Sequence, residues 1–188
     1  SGFTAQQTLD LVQTLYEKKL LTYPRTDSQF ITDDMEDTAR QVISIVCRQF
    51  PLFSGVLVTP DIARVTDNSN VTDHHAILPT VQLEKQDVSA LPQSEQKILN
   101  LVGMRLLCAT GEKHTYAETQ ISLSCESYTF KTKGKTVVQN GWKAIEELFK
   151  ASLKTKEKDD PMKSLPEVHE GDVLDGVSAS VTEHFTTP

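Results

Sequence analysis

The chain has 188 residues, a formal charge of −7 and a pI of about 5.2. That length suits one large domain or two small ones. The hydrophobic share, 38%, is low for a tight globule but sufficient for a core. The acidic balance argues against a free-standing nucleic-acid binder, which is usually basic. No apolar run approaches the ~20 residues of a membrane span, so no membrane partner is expected.

The start, Ser1-Gly2-Phe3, has neither the basic nor the apolar region of a signal peptide. It also lacks an initiator Met, so a fragment of a longer polypeptide is expected. Cys47, Cys108 and Cys125 are odd in number and far apart, with no C-x-x-C pair. They suggest neither zinc nor a disulfide framework, and read as buried thiols of a reducing, cytoplasmic compartment.

Thr4 and Gln7 form a capping-box pattern. Ala5, Leu9, Val12, Tyr16 and Leu20 follow at helical spacing, which predicts a first helix to about Leu20 with Lys18 on its wet side. Pro24 biases Tyr23 toward an extended backbone, so Leu21 to Tyr23 reads as a short strand or link and Pro24 to Ser28 as a tight loop. Thr32 is the predicted N-cap of a second helix, acidic in its first turn. Met35, Ala39, Val42, Ile43, Val46 and Phe50 are its buried stripe, and Pro51 ends it. Residues 52 to 72 read as a long irregular loop, often a functional feature in a compact domain. Ser94 is the expected cap of a third helix, with Ile98, Leu101, Val102, Leu106 and Ala109 as its stripe and Gly111 as its stop.

The period then changes from 3.6 to 2. Ala117 to Glu126 alternate as a half-buried strand. Tyr128 to Lys133 and Thr136 to Gln139 flank Gly134 as a hairpin, and Asn140-Gly141 leads into a short helix, Trp142 to Phe149. Residues 151 to 164 read as a charged linker, and Val173 to Thr182 as a last strand. The division is thus a helical domain over 3–113 and a strand-rich segment over 114–188, an α+β chain with an incomplete sheet.

Chemistry concentrates in Thr22-Tyr23-Pro24-Arg25-Thr26-Asp27-Ser28. A phenol with a pKa near 10 is a poor nucleophile at neutral pH unless a neighbour helps. Arg25, two residues on, can favour the phenolate and hold a phosphate in line. Asp27 can orient the arginine or shuttle a proton. Spacing alone leaves open a tyrosine simply packed at a domain surface. His74 and His75 lack a nearby third metal ligand, so a metal site is disfavoured and loop-surface histidines are the plain reading. Lys131, Lys133 and Lys135 sit beside the hairpin, where exposed lysines guard a sheet edge against aggregation. Phe50, Phe53 and Trp142 read as core rather than base-stacking platforms.

The string from Thr22 to Ser28, after a helix ending Leu15-Tyr16-Glu17, closely resembles the active-site tyrosine motif of type IA DNA topoisomerases. Phe3-Thr4-Ala5 to Thr8-Leu9, His74-His75-Ala76-Ile77 with Pro79-Thr80, Gly141-Trp142 and His184-Phe185-Thr186-Thr187-Pro188 resemble further landmarks in family order. The second histidine, and Leu78 before the proline, are closer to the topoisomerase III branch. The resemblance implies Tyr23 as nucleophile toward single-stranded DNA and Arg25 as the phosphate-positioning cation. Thr22 and Asp27 would support them, and His74, Lys18, Lys131 and Lys133 would contact DNA.

It also implies a winged-helix or catabolite-activator-like tyrosine domain followed by part of a β-rich arch. Mg²⁺ would be held by the acidic cluster of a Toprim domain that precedes this segment in the family. Asp33-Asp34 and Asp159-Asp160 do not match that cluster, so the isolated chain is expected to be inactive, with the remaining domains as its intramolecular partners. A non-enzymatic winged-helix module binding DNA or a protein is the alternative, disfavoured by helices that are acidic or mixed rather than basic.

Overall fold

The computed structural model describes residues 2–56, 58–153, 165–176, 178, 180–183 and 185. Four α-helices, several short 3₁₀ turns and a two-stranded sheet make it a mixed α+β chain. Residue contacts divide it into two units, Ser1–Ala117 with Val137–Asp160, and Glu118–Thr136 with Pro161–Pro188.

In the first unit, α1 (Ala5–Glu17) starts with the expected capping box: the Thr4 hydroxyl accepts from the Gln7 amide, and the Gln7 side chain accepts from the Thr4 amide. It ends three residues before Leu20, because Lys19 adopts a left-handed conformation (φ 63°). The next helix starts more tightly than its sequence suggests. Thr32 precedes a 3₁₀ turn, Asp33–Met35, without a side-chain cap, and α2 runs from Glu36 to Gln49. Phe50 turns extended before Pro51, as the proline requires. Ala39, Val42, Ile43, Val46 and Phe50 are buried as expected, and Ile45 joins them.

The third helix, α3 (Gln93–Thr110), corrects two expectations. Its N-cap is Pro92, which places Ser94 inside the first turn. Its buried set includes Leu99, Gly103, Met104, Leu107 and Cys108, whereas Ala109 is exposed and Leu101 and Val102 are only half-buried. The helix packs against α1, α2 and α4 (Lys143–Ser152), so its burial spreads beyond one stripe. Gly103 allows that crowding, since a β-carbon there would stand 2.8 Å from Phe50 Cε2. Gly111 ends the helix as expected. Gly141 has φ +53°, and a β-carbon on it would meet the Lys113 carbonyl oxygen at 2.3 Å, so only glycine fits this return of the chain into α4.

The sheet pairs β1 (Thr115–Cys125) with β2 (Tyr128–Gln139). The turn is Glu126-Ser127, with Glu126 at φ 50°, and Gly134 lies inside a continuous strand rather than at a turn. Nor is β1 half-buried: its residues are exposed except Ile121, which is intermediate. Among the described residues the two strands pair only with each other, and the alternation in sequence finds little to bury against. The described residues of 173–182 form no strand. The predicted linker begins inside α4, and its remainder from 154 to 164 lies outside the described residues, as do His184 and 186–188.

The three cysteines are not alike. Cys108 is buried, Cys47 intermediate and Cys125 exposed, which corrects the expectation of three buried thiols. Burial, with a smaller push from the Glu146 carboxylate against a pull from Arg105, moves the Cys108 thiol up to about 11. At pH 8 its thiolate fraction is then about one part in a thousand. Brief maleimide treatment of the native chain, followed by mass spectrometry, should label Cys125 first and Cys108 last. Labelling of Cys108 as fast as Cys125 would contradict this packing.

Candidate active site

The site begins where α1 stops. The Leu20 and Leu21 amides both donate to the Leu15 carbonyl (2.9 and 3.3 Å), which folds the chain back over the last turn of the helix. Lys18 secures this reversal. Its ammonium stands 2.7 Å from both carboxylate oxygens of Glu95, a nearly buried residue in the first turn of α3. Lys18, expected at DNA, is therefore engaged with Glu95.

The returning chain is stitched to the segment that carries the histidines. Leu21 forms an isolated antiparallel bridge with Pro79. The Thr22 amide donates to the Leu78 carbonyl (2.9 Å), and the Thr80 amide to the Leu20 carbonyl (3.1 Å). The Thr22 hydroxyl accepts from the Leu78 amide (2.8 Å) and donates to the Ala76 carbonyl (3.2 Å). Thr80 donates its hydroxyl to the Lys19 carbonyl. Further along, Thr26 donates to the His74 carbonyl (2.9 Å), Ser28 to the Asn70 carbonyl (2.7 Å), and the Ala76 amide to the Phe30 carbonyl (2.9 Å). Hydroxyl side chains thus act as extra rungs where an extended strip lacks a full β ladder.

This register sets Tyr23 beside His74, 51 positions away in sequence. The rings lie 4.4 Å apart between centroids, tilted by 41°. On another side the Tyr16 ring meets Tyr23 edge-on, at 5.4 Å and 79°. Tyr23 is half-buried and Pro24 buried, whereas Arg25 and Asp27 are exposed. His74 also lines an open cleft with Arg25, Thr26, Asp27, Thr72 and Asp73. Two groups able to face an anion, Arg25 and His74, therefore share the cleft with two carboxylates. Among the described residues Arg25 and Asp27 form no ion pair, so the structure does not show Asp27 orienting the arginine. His75 instead sets its Nδ1 2.8 Å from the Ala76 carbonyl; a carbonyl only accepts, so Nδ1 carries the proton.

Tyr23, Arg25, Thr22, Asp27 and His74 are brought together. Lys131 and Lys133 lie on β2 in the other unit, where Lys133 pairs with Glu118 at 3.0 Å and holds that carboxyl below its usual range. Reasoning from sequence missed Tyr16, Thr26 and Glu95 as supports. Only Tyr16 left a trace, as an aromatic at the end of the helix seven residues before Tyr23. Among the described residues no three His, Cys, Asp or Glu side chains gather as a metal site. The described residues offer no such cluster for Mg²⁺, and no step here passes through it.

The family model for DNA topoisomerase matches residues 1–188. The chain belongs to the type IA DNA topoisomerase family. It is 34% identical over its whole length to DNA topoisomerase 3 of Bacillus licheniformis and 33% identical to that of Bacillus subtilis, spanning 26% of each. A solved structure of full-length topoisomerase I from Thermotoga maritima shares the fold, with a TM-score of 0.55 at 23% identity, over 89% of this chain and 26% of that one. This topoisomerase chain thus spans about a quarter of the length of the curated relatives it matches, and none of its described helices is long and apolar enough to cross a membrane.

Proposed function

We propose that Tyr23 is the nucleophile of a type IA topoisomerase reaction on single-stranded DNA, within a longer polypeptide. The carrying observation is the seating of the Tyr23 ring against His74, which also lines the Arg25 cleft. In the step, the phenolic oxygen bonds to phosphorus and the bond from phosphorus to the 3′-oxygen breaks. The phenol proton passes to solvent or Asp27, and the departing 3′-oxygen takes one up. The 5′-phosphate stays on Tyr23 while another strand passes, and the 3′-hydroxyl then reverses the exchange. One phosphodiester replaces another, so no ATP is required. Arg25 offers charge for the equatorial phosphate oxygens and His74 a donor to the backbone, which lowers the barrier by position and electrostatics.

Further readings belong to this proposal. Mg²⁺ binds carboxylates outside the described residues, in a Toprim domain of the longer polypeptide. The three helices α1–α3 with their short bridge form a winged-helix-like unit, and β1–β2 belong to a β-rich arch. Sequence similarity to enzymes named DNA topoisomerase 3 supports the topoisomerase III branch, and a cytoplasmic setting belongs to the same reading.

Trapping tests the reading. Polypeptide carrying this chain is mixed with labelled single-stranded DNA, denatured in SDS and digested. The DNA-linked peptide should contain Tyr23 modified by a 5′-phosphate; linkage at another residue would overturn the assignment. The 188-residue chain alone should leave negatively supercoiled plasmid unrelaxed, and relaxation by it would overturn the placing of the metal site elsewhere.

A further inference from the structure

Tyr16 is exposed, 38% accessible, on the last turn of α1. What it touches is Tyr23. The left-handed Lys19 and the two amides on Leu15 O reverse the chain, bringing Tyr23 back across the helix end. The edge-to-face geometry, 5.4 Å and 79°, is the arrangement that aromatic quadrupoles favour. On the other side the tilted His74 ring completes a brace. The Thr22 rungs hold the Tyr23 backbone, but they leave rotation of its side chain free. Among the described residues the Tyr23 hydroxyl has no hydrogen bond to fix it, so its neighbouring rings are what restrict the torsion.

We propose that Tyr16 is a positioning residue, which holds the Tyr23 ring in the rotamer that attacks the DNA phosphate. This rests on the reading of Tyr23 as nucleophile. Tyr16 touches neither DNA nor the reacting atoms. It acts through the ring alone, so its own hydroxyl is dispensable.

The consequence divides binding from chemistry. In the cleavage-competent polypeptide, Tyr16→Ala should slow single-turnover cleavage of single-stranded DNA by roughly 10- to 100-fold, the scale of a small misplacement of a reacting group. The dissociation constant for DNA should change less than about twofold, and Tyr16→Phe should restore the cleavage rate. In the 188-residue chain itself, the Tyr23 ring-proton NMR resonances should move toward random-coil values in Tyr16→Ala and stay in place in Tyr16→Phe. That readout is independent of activity.

Unchanged cleavage in Tyr16→Ala, failure of Tyr16→Phe to restore it, or a loss residing wholly in DNA affinity would each overturn the proposal. Covalent adducts that persist in Tyr23→Phe would overturn the nucleophile reading instead. The NMR result would then still report whether the brace exists.

Discussion

Phenylalanine at position 23 is expected to reduce covalent DNA adducts to background, while folding and DNA affinity remain as in the parent. The substitution removes one oxygen, the atom proposed to bond to phosphorus. The ring remains, and with it the contacts to Tyr16 and His74. The lost hydroxyl leaves no orphaned partner among the described residues, so the cost in stability is small. SDS-resistant adducts on labelled single-stranded DNA are the measurement, with circular dichroism and DNA affinity as controls. Adducts at the parent level in a folded, DNA-binding Tyr23→Phe protein would remove Tyr23 from the role. A general loss of DNA affinity would point instead to a binding residue.

Phe50→Ala is expected to be among the most destabilising single changes in the helical unit, at about 3–5 kcal/mol. Phe50 is fully buried and lies 6.2 Å from the Phe53 ring, between centroids. It also fills the space that Gly103 leaves open on α3. That matched pair lets α2 and α3 approach closely, so truncation leaves a cavity that neither helix backbone can collapse into. Urea unfolding of the chain, followed by helical circular dichroism, should show a lower midpoint at nearly unchanged slope. Phe50→Leu should cost distinctly less. A loss below about 1 kcal/mol for Phe50→Ala would mean that the Phe50–Gly103 contact is not tightly packed.

Much of the helical unit is legible from spacing because its signals are local. Thr4 and Gln7 lie one helical turn apart, and their capping box forms as read. Pro51 ends α2 by holding the adjacent Phe50 extended, and Gly111 stands extended directly after α3. The strand half misled for the opposite reason. A strand's alternation states which face wants burial, not whether a second layer is there to provide it, and β1 is exposed along nearly its whole length. Gly134 was an attractive turn residue, but pairing along β1 and β2 placed the turn at Glu126-Ser127. Cys125 sits on that open ribbon and so is exposed, while Cys108, on the crowded α3, is buried.

For the site, the string from Thr22 to Ser28 and its resemblance to the family are legible in the chain. Residue type and short spacing are enough for that, since Tyr23, Arg25 and Asp27 share one strip of chain. Tertiary structure decided what surrounds Tyr23. The Thr22 rungs to Ala76 and Leu78 and the Lys18–Glu95 pair join residues that local spacing cannot relate, while the left-handed Lys19 turns the chain back over the end of α1. The long-range rungs set His74 on one side of the phenol, and the turn at Lys19 sets Tyr16 on another. The fold also pairs Lys18 with Glu95, because a nearly buried carboxylate must be paired and this ammonium lies within reach.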